Sequence, residues 1–511
     1  MNKSPEDEVP ETGRSGGPAD SVAGLLRPTK VVDEFLVSLG HRVGGTIDSM
    51  VSDRHRRRLR RLGWAHALDA TSREFVGGTS PARPGNLLEV LIDGSEALPR
   101  MASDIAAATS HVHMTGWYLS PELALSREEE PLVVRVLLAE LAERIDVRVL
   151  LWKGSPVPVF RPSRADVRET KHTLARHTKI KTAVDSCCGL SHCHHEKTIV
   201  IDDRVAYVGG IDLTLDGGDP FDTPNHRARG GIGWHDAAVR LEGPAVRDVA
   251  EHFRLRWQSA AREALPPAAV PAPAGDVEVQ IVRTIPAGSY RRLRKGDYSI
   301  LESYIGAVRS AERIVYLENQ FLWSPEVVDI LVEKLKNPPT DGFRVVVLLP
   351  ARSNDGADIS RGQVAALIDA DGDDDRFLAC TVYAREGKLR DIVYVHSKIG
   401  IVDDRWLTLG SANLNAHSLL NDTEMNVVTH DERLARDTRI RLWSEHLERD
   451  QDELTGSPDS IVDGLWRPIA TEQLHRIEDG KPLTHRLVRL PGVSRRRRRV
   501  LGPLQSYLYD V

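Results

Sequence analysis

HHEKTIVIDDRVAYVGGIDL, residues 194–213, and VHSKIGIVDDRWLTLGSANL, residues 395–414, are two copies of one pattern. His195 and His396, Lys197 and Lys398, Asp202 and Asp403, Gly209 and Gly410, and Asp212 and Asn413 are each separated by 201 positions. Both copies contain His-x-Lys-x-x-x-x-Asp. In a chain with 19 His and 13 Lys, roughly 0.04 such matches are expected by chance, so two in register imply a duplicated fold. Arg outnumbers Lys 55 to 13, so a Lys kept at the same place in both copies points to a need for a compact ammonium group there.

Working outward, His195 to Ile201 alternates into an apolar run, Asp202-Asp203-Arg204 reads as a turn, and Val205 to Val208 returns as a second strand. Residues i and i+2 of a strand project from one face, so the His and Lys of each copy are expected to reach one ligand together. Asp202 and Asp403 lie at the turns, with the opposite parity, and are expected to brace each pair rather than to react. Upstream of each copy the elements recur in one order. Ser95–Ala108 is amphipathic and leads into residues 111–123; residues 131–144 then read as a helix and 146–154 as a buried strand. In the second half, residues 300–313, 314–326, 327–336 and 343–351 repeat that order. The implied class is α/β: two tandem repeats, each a mostly parallel or mixed sheet flanked by helices.

Composition sets the boundaries. Residues 1–30 are rich in Pro, Gly, Ser and Glu and are expected to be a disordered tail, followed by a helical, basic extension over 31–85. Repeats are expected over 86–263 and 277–455, joined by the linker ALPPAAVPAPAGD at 264–276, with a C-terminal extension over 456–511. The four cysteines, Cys187, Cys188, Cys193 and Cys380, are too few and too clustered for a disulfide framework, which suggests a reducing, cytoplasmic setting. There is no signal-peptide pattern and no apolar run of roughly 18 residues. The net charge of −6 gives no global attraction to a polyanion, which places nucleic acid behind other anionic partners.

Two histidines and two lysines in one cleft suit attack on a phosphodiester. One neutral imidazole attacks phosphorus, an imidazolium protonates the leaving oxygen, and the lysines neutralise the phosphoryl oxygens. The sequence resembles the phospholipase D superfamily over roughly Asn86 to Asp450, which implies that the two repeats are pseudo-twofold-related with the active site at their interface. The resemblance rests on the paired motifs, TGW (115–117), WHD (234–236), YLENQF (316–321), GSAN (410–413) and DTE (422–424). HHEK, VGGID, ENQ and YVHSK resemble the phosphatidylcholine-cleaving members more than the nucleases. The resemblance implies a two-step reaction through a phosphohistidine, with no metal or cofactor, on a phospholipid. It makes His195 the nucleophile and His396 the acid and later base. It also implies carboxylates behind the histidines: Asp236, 41 residues after His195, and Glu424, 28 after His396, each expected on the histidine of its own repeat. Asn413 and Ser411 are expected near the phosphoryl oxygens, and Gly210 and Asp212 in their places make the pocket asymmetric.

Other signals carry less. CCGLSHCHHEK crowds its soft ligands into one segment, which reads better as a pocket wall than as a zinc site. Residues 369–375, DADGDDD, lack the glycine and the final carboxylate of a calcium loop. The basic runs Arg54–Arg61 and Arg495–Arg499, close to Trp64, Tyr507 and Tyr509, are candidates for a peripheral, anionic membrane surface. Trp117, Trp152, Trp234 and Trp323 are candidates for an acyl groove. The sequence names no protein partner. Behind phosphatidyl hydrolysis or transfer to an alcohol stand a cardiolipin-synthase-like phosphatidyltransferase, a nucleic-acid phosphodiesterase and a non-catalytic lipid-binding protein.

Overall fold

A computed structural model describes residues 52–491 except 73, 157–160, 188–191, 216–217, 229–231 and 352–357. The expected tail at 1–30, the Arg495–Arg499 run, Tyr507, Tyr509 and Cys188 lie outside the described residues.

The fold is mixed α/β. In the first half, β1 (Arg83–Ile92), β2 (His111–Gly116), β3 (Asp146–Trp152), β4 (Lys181–Asp185), β5 (Thr198–Ile201), β6 (Val205–Gly209), β7 (Gly233–His235) and β8 (Ala237–Glu242) follow one another. The second half supplies β9 (Val277–Ile285), β10 (Asp297–Tyr298), β11 (Ile314–Glu318), β12 (Arg344–Leu348), β13 (Phe377–Glu386), β14 (Leu389–Val395), β15 (Ile399–Val402), β16 (Trp406–Gly410), β17 (Glu424–Thr429) and β18 (Leu487–Arg489). The helices are α1 (residues 52–62), α2 (His66–Asp69), α3 (Asp93–Ala106), α4 (Val134–Ala142), α5 (Arg164–Ala175), α6 (Val246–Ala261), α7 (Ser299–Ser310), α8 (Pro325–Lys336), α9 (Asp358–Asp371), α10 (Glu432–Leu447), α11 (Pro458–Ile461) and α12 (Arg467–Glu478).

The strand pairings match between the halves. β2–β3 and β11–β12 are parallel, as βαβ units require, while β2–β5 and β11–β15 are antiparallel. The hairpins β5–β6 and β15–β16 continue onto β8 and β17, and these onto β1 and β9. β1 and β9 pair with each other near Arg83 and Asn86, so the two sheets run on as one. Apolar residues of both halves share one core cluster, including Val90, Val239, Val279, Ile401 and Val427. β-branched residues dominate it, as strands buried on both faces demand.

Each motif hairpin turns through two aspartates with positive φ, Asp202 and Asp203 at 54° and 53°, and Asp403 and Asp404 at 56° and 55°. Asp tolerates this region because its short polar side chain finds local partners. Asp202 accepts hydrogen bonds from the backbone N–H groups of Thr109, Ser110 and His111 at 2.9, 2.7 and 2.9 Å. Asp403 does the same for Glu312, Arg313 and Ile314 at 2.9, 2.7 and 3.0 Å. Both therefore brace the hairpin against the start of the neighbouring strand, and hydrogen-bond neither the His nor the Lys of their motif. Asp403→Ala should leave three backbone donors unsatisfied and cost about 2–4 kcal/mol, read as a lower urea midpoint.

The expected linker packs on the first half. Ala269 N donates to Asp203 at 3.1 Å and Arg254 to the Pro266 carbonyl at 2.7 Å. Trp64 is also buried, edge-on to Tyr298 at 5.7 Å, and so is unavailable as a membrane anchor. The basic run forms α1, whose Leu59 and His55 face inward, His55 lying 2.6 Å from Glu326.

Candidate active site

His195 and Lys197 sit on an extended segment just before β5, and His396 and Lys398 just before β15, rather than within the strands as the alternation suggests. Two contacts across the halves fix these segments. β14 runs parallel to β7 with Val395 opposite His235, and His194 forms a parallel bridge to Thr423. The next backbone bonds are equivalent: His396 N donates to the His235 carbonyl at 2.8 Å, and His195 N to the Thr423 carbonyl at 3.0 Å. Each motif histidine is thereby laid beside the WHD or DTE segment of the opposite half.

This corrects the expected pairing. Asp236 binds His396, its Oδ2 lying 2.7 Å from Nδ1, and Glu424 binds His195, with carboxylate oxygens 3.0 and 3.2 Å from Nδ1. The two carboxylates are the expected ones, but each serves the histidine of the other half. The Ser411 carbonyl also lies 3.2 Å from His195 Nδ1; a carbonyl only accepts, so Nδ1 carries the proton and Nε2 keeps its lone pair. Nε2 of each ring is the atom left for chemistry.

The surroundings differ in ways that side-chain length explains. Ser411 Oγ donates to Glu424 at 2.5 Å and Ser418 Oγ does so at 2.6 Å, so Ser411 holds the carboxylate rather than facing a phosphate. At the corresponding Gly210, an added Cβ would lie 2.2 Å from Asp236 Oδ1. The shorter aspartate comes closer to the backbone and excludes any side chain at 210.

The lysines anchor themselves on the preceding histidine carbonyls, Lys197 Nζ donating to His195 O at 2.7 Å and Lys398 Nζ to His396 O. Lys197 also meets Asp212 Oδ2 at 3.1 Å, whereas Lys398 meets Gln320 at 3.3 Å. Asn413, the counterpart of Asp212, is 5% exposed, and its amide oxygen has no hydrogen-bond partner. Trp117 stands edge-on to His195 at 6.3 Å and Trp234 to His396 at 5.0 Å. Of the four tryptophans singled out, these two flank the histidines; Trp152 stacks behind Trp117 at 6.4 Å.

Charge crowding sets the protonation. Burial and then Lys197 hold the His195 imidazole well below its usual range, and burial with Lys398 brings His396 down to about 4. Burial pushes the Glu424 carboxyl up to about 8. Burial opposes ionisation of Asp236 as well, yet His396 and Lys398 keep it below the usual carboxylate range. Burial also pulls Lys398 down to about 7. A depressed lysine is neutral above that value, so affinity for a fixed dianion such as sulfate should fall at least about tenfold between pH 6 and 9. Titration calorimetry across that range would measure it, and Lys398→Gln should flatten the dependence. From pH 7 up to the ordinary lysine value, the unfolded chain binds a proton the folded one does not, so this group alone makes stability rise with pH.

Behind His396 lies a buried polar cluster that the sequence reading missed. His235 contacts Asp93 and Glu318, Glu318 accepts from Ser397 Oγ at 2.7 Å, and His446 lies 3.0 Å from Glu318. The available signal was a carboxylate ending the apolar strand IVYLE and a His-bearing turn on an otherwise buried helix face. The CCGLSHCHHEK ligands disperse: His194 joins Thr423 and Asp185, and Cys187 approaches Ser259 at 3.1 Å. Asp371 accepts from the backbone N–H groups of Arg376 and Phe377, and Asp375 lies 3.1 Å from Arg467, so these two of the five carboxylates in that acidic run are engaged by the protein.

The two histidines and two lysines therefore come together on this mixed sheet, close enough for the charges of each half to act on the histidine of the other. A family model described as "Cardiolipin synthase, PLD-like domain" matches residues 304–444. Phospholipase D A of Dictyostelium discoideum is 27% identical over 72% of this chain and 36% of its own length. The major cardiolipin synthase of Bacillus subtilis is 26% identical over 69% of this chain and 67% of its own length. The crystal structure of a phosphatidylserine synthase from Haemophilus influenzae aligns with a TM-score of 0.50 at 13% identity, covering 80% of this chain and 95% of that one. These matches support the phospholipase D superfamily as the group this chain is similar to. It spans 36% and 37% of the length of the Dictyostelium relative and of phospholipase D1 from Schizosaccharomyces pombe, and half that of bovine phospholipase D2.

Proposed function

We propose that the chain is a phospholipase D-type enzyme that cleaves the headgroup phosphodiester of a phospholipid and passes the phosphatidyl group to water or an alcohol. The observation that carries this reading is the pair of histidines whose Nδ1 atoms are each taken by a carboxylate of the opposite half. With Nδ1 committed, His195 Nε2 attacks phosphorus and the headgroup oxygen leaves with a proton from His396. His396 then takes a proton from the acceptor, which displaces the phosphoryl group from His195. Asp236, kept ionised, works against the burial and the Lys398 charge that hold His396 low, and the negative phosphodiester adds to that pull, so His396 carries its proton in the substrate complex, as the acid role requires, while the more neutral Glu424 leaves His195 an uncharged nucleophile. Lys197, Lys398 and Asn413 take the phosphoryl oxygens.

Cardiolipin-type phosphatidyl transfer is the second reading, favoured by the family model over residues 304–444 and the Bacillus subtilis relative. Among the described residues no helix is long and apolar enough to cross a membrane. The exposed Arg54, Arg57, Arg60 and Arg61 of α1 support a peripheral contact with an anionic lipid surface. Incubating the pure protein with mixed phospholipid vesicles, with and without a primary alcohol, and weighing the products separates the readings. Phosphatidic acid alone indicates hydrolysis, a phosphatidyl-alcohol indicates transfer, and cardiolipin from phosphatidylglycerol indicates synthesis. Intact lipids in every arm would refute the proposal.

A further inference from the structure

Asp93 at the start of α3, His226, His235 of β7 and Glu445 of α10 converge behind the cleft, with one donor atom from each lying within 4.8 Å of the others. His226 Nε2 is 3.0 Å from Glu445 Oε1 and 3.6 Å from Asp93 Oδ2. His235 Nδ1 is 3.0 Å from Asp93 Oδ1 and 3.1 Å from the same Glu445 oxygen. Zinc bonds to nitrogen and oxygen of about 2.0–2.2 Å give a tetrahedron with edges of about 3.3–3.6 Å, so small shifts of these four groups complete one.

Two further observations point to an ion. The second nitrogen of each imidazole faces a carboxylate: His235 Nε2 is hydrogen-bonded to Glu318 at 2.9 Å, and His226 Nδ1 lies 3.3 Å from Asp222 without an aligned hydrogen bond. Metal-binding histidines are oriented by this arrangement, with the carboxylate fixing the tautomer that turns the lone pair to the metal. In addition, Asp93 Oδ2 is buried, makes no hydrogen bond, and lies on the side of His226 Nε2. Two carboxylates and two neutral imidazoles around a divalent cation sum to zero charge, the cheapest state for a cluster with three of its four members buried.

We infer that Asp93, His226, His235 and Glu445 form a structural site for a zinc-like divalent cation that ties the two halves together behind the catalytic cleft. All four positions are filled by protein, which leaves none for substrate and separates this site from the phosphodiester chemistry. Its reach into the cleft is through the backbone. Asp93 Oδ1 accepts from Asp236 N at 3.1 Å, and the His235 carbonyl accepts from His396 N, so the ion would fix the strand that orients His396.

The test uses the full chain without a polyhistidine tag, stripped with chelator, reloaded with one equivalent of zinc and passed through a desalting column. About one zinc per chain should be retained, the melting temperature should rise on loading, and Co2+ in its place should give the intense visible bands of a tetrahedral site. His226→Gln with Glu445→Gln should cut retention at least tenfold, while His192→Ala, in the separate His192, His417 and Asp422 cluster, should leave it unchanged. If the double variant fails to fold, the cobalt spectrum of the wild type decides. Retention below a tenth of an equivalent by the wild type, octahedral cobalt bands, or loss of zinc only in His192→Ala would overturn the site.

Discussion

His396→Ala, given a phosphatidyl substrate whose leaving group is an activated phenol, is expected to release one equivalent of phenol and stall with the phosphatidyl label on His195. An activated phenol leaves without a proton, so the first displacement survives loss of the acid. The second step has lost the group that deprotonates the acceptor, and turnover should fall by about 10³–10⁴-fold. His195→Ala should give neither burst nor label, with a loss on the order of 10⁶-fold, as removing a nucleophile does elsewhere. Mass spectrometry of peptides from acid-free digests locates the label. Finding it on His396 in the His195→Ala protein would reverse the roles.

The crossed carboxylates separate the two steps further. Asp236→Asn keeps the volume but can donate to Nδ1 and so trap His396 in the wrong tautomer, an effect worth about 10⁴-fold where an orienting carboxylate has been changed in this way. Because Asp236 serves His396, this variant should behave like His396→Ala: a normal burst with an activated substrate, then a stall. Glu424→Gln should instead slow the burst itself, by about 10–100-fold, because the Ser411 carbonyl still holds the His195 tautomer. Rapid-quench measurement of burst rate and steady state in both variants reads the difference. A slow burst in Asp236→Asn with a normal one in Glu424→Gln would mean that each carboxylate acts within its own half.

What could be read from the chain follows from how local each feature is. The motif hairpins, the parallel β2–β3 and β11–β12 units and the bracing aspartates depend on residues close in sequence or on a repeated pattern. Asp236 and Glu424 were recognisable as residues, but their partners were not. Partner choice depends on β14 lying along β7 and His194 along Thr423, contacts between segments 160 and 229 positions apart that leave no periodic trace. Strand parity placed His and Lys on one face, whereas the lysine ammoniums actually reach back to the histidine carbonyls from an extended segment before the strand. The cluster around Glu318 stayed hidden because its members, from Asp93 to His446, come from five separate elements.

The exchange of carboxylates has a consequence for how such a molecule can be taken apart. Residues up to the Pro-rich stretch hold His195 without Glu424, and residues beyond it hold His396 without Asp236, so neither fragment owns a finished catalytic pair. Cut at that stretch and expressed as two polypeptides, each would be inert alone. Activity would return only on reassembly, both pairs being completed in the same event and in proportion to the complex formed. The same logic makes two identical early copies, facing each other, a workable ancestor: symmetry alone would have supplied each histidine with its partner's acid before any fusion joined them.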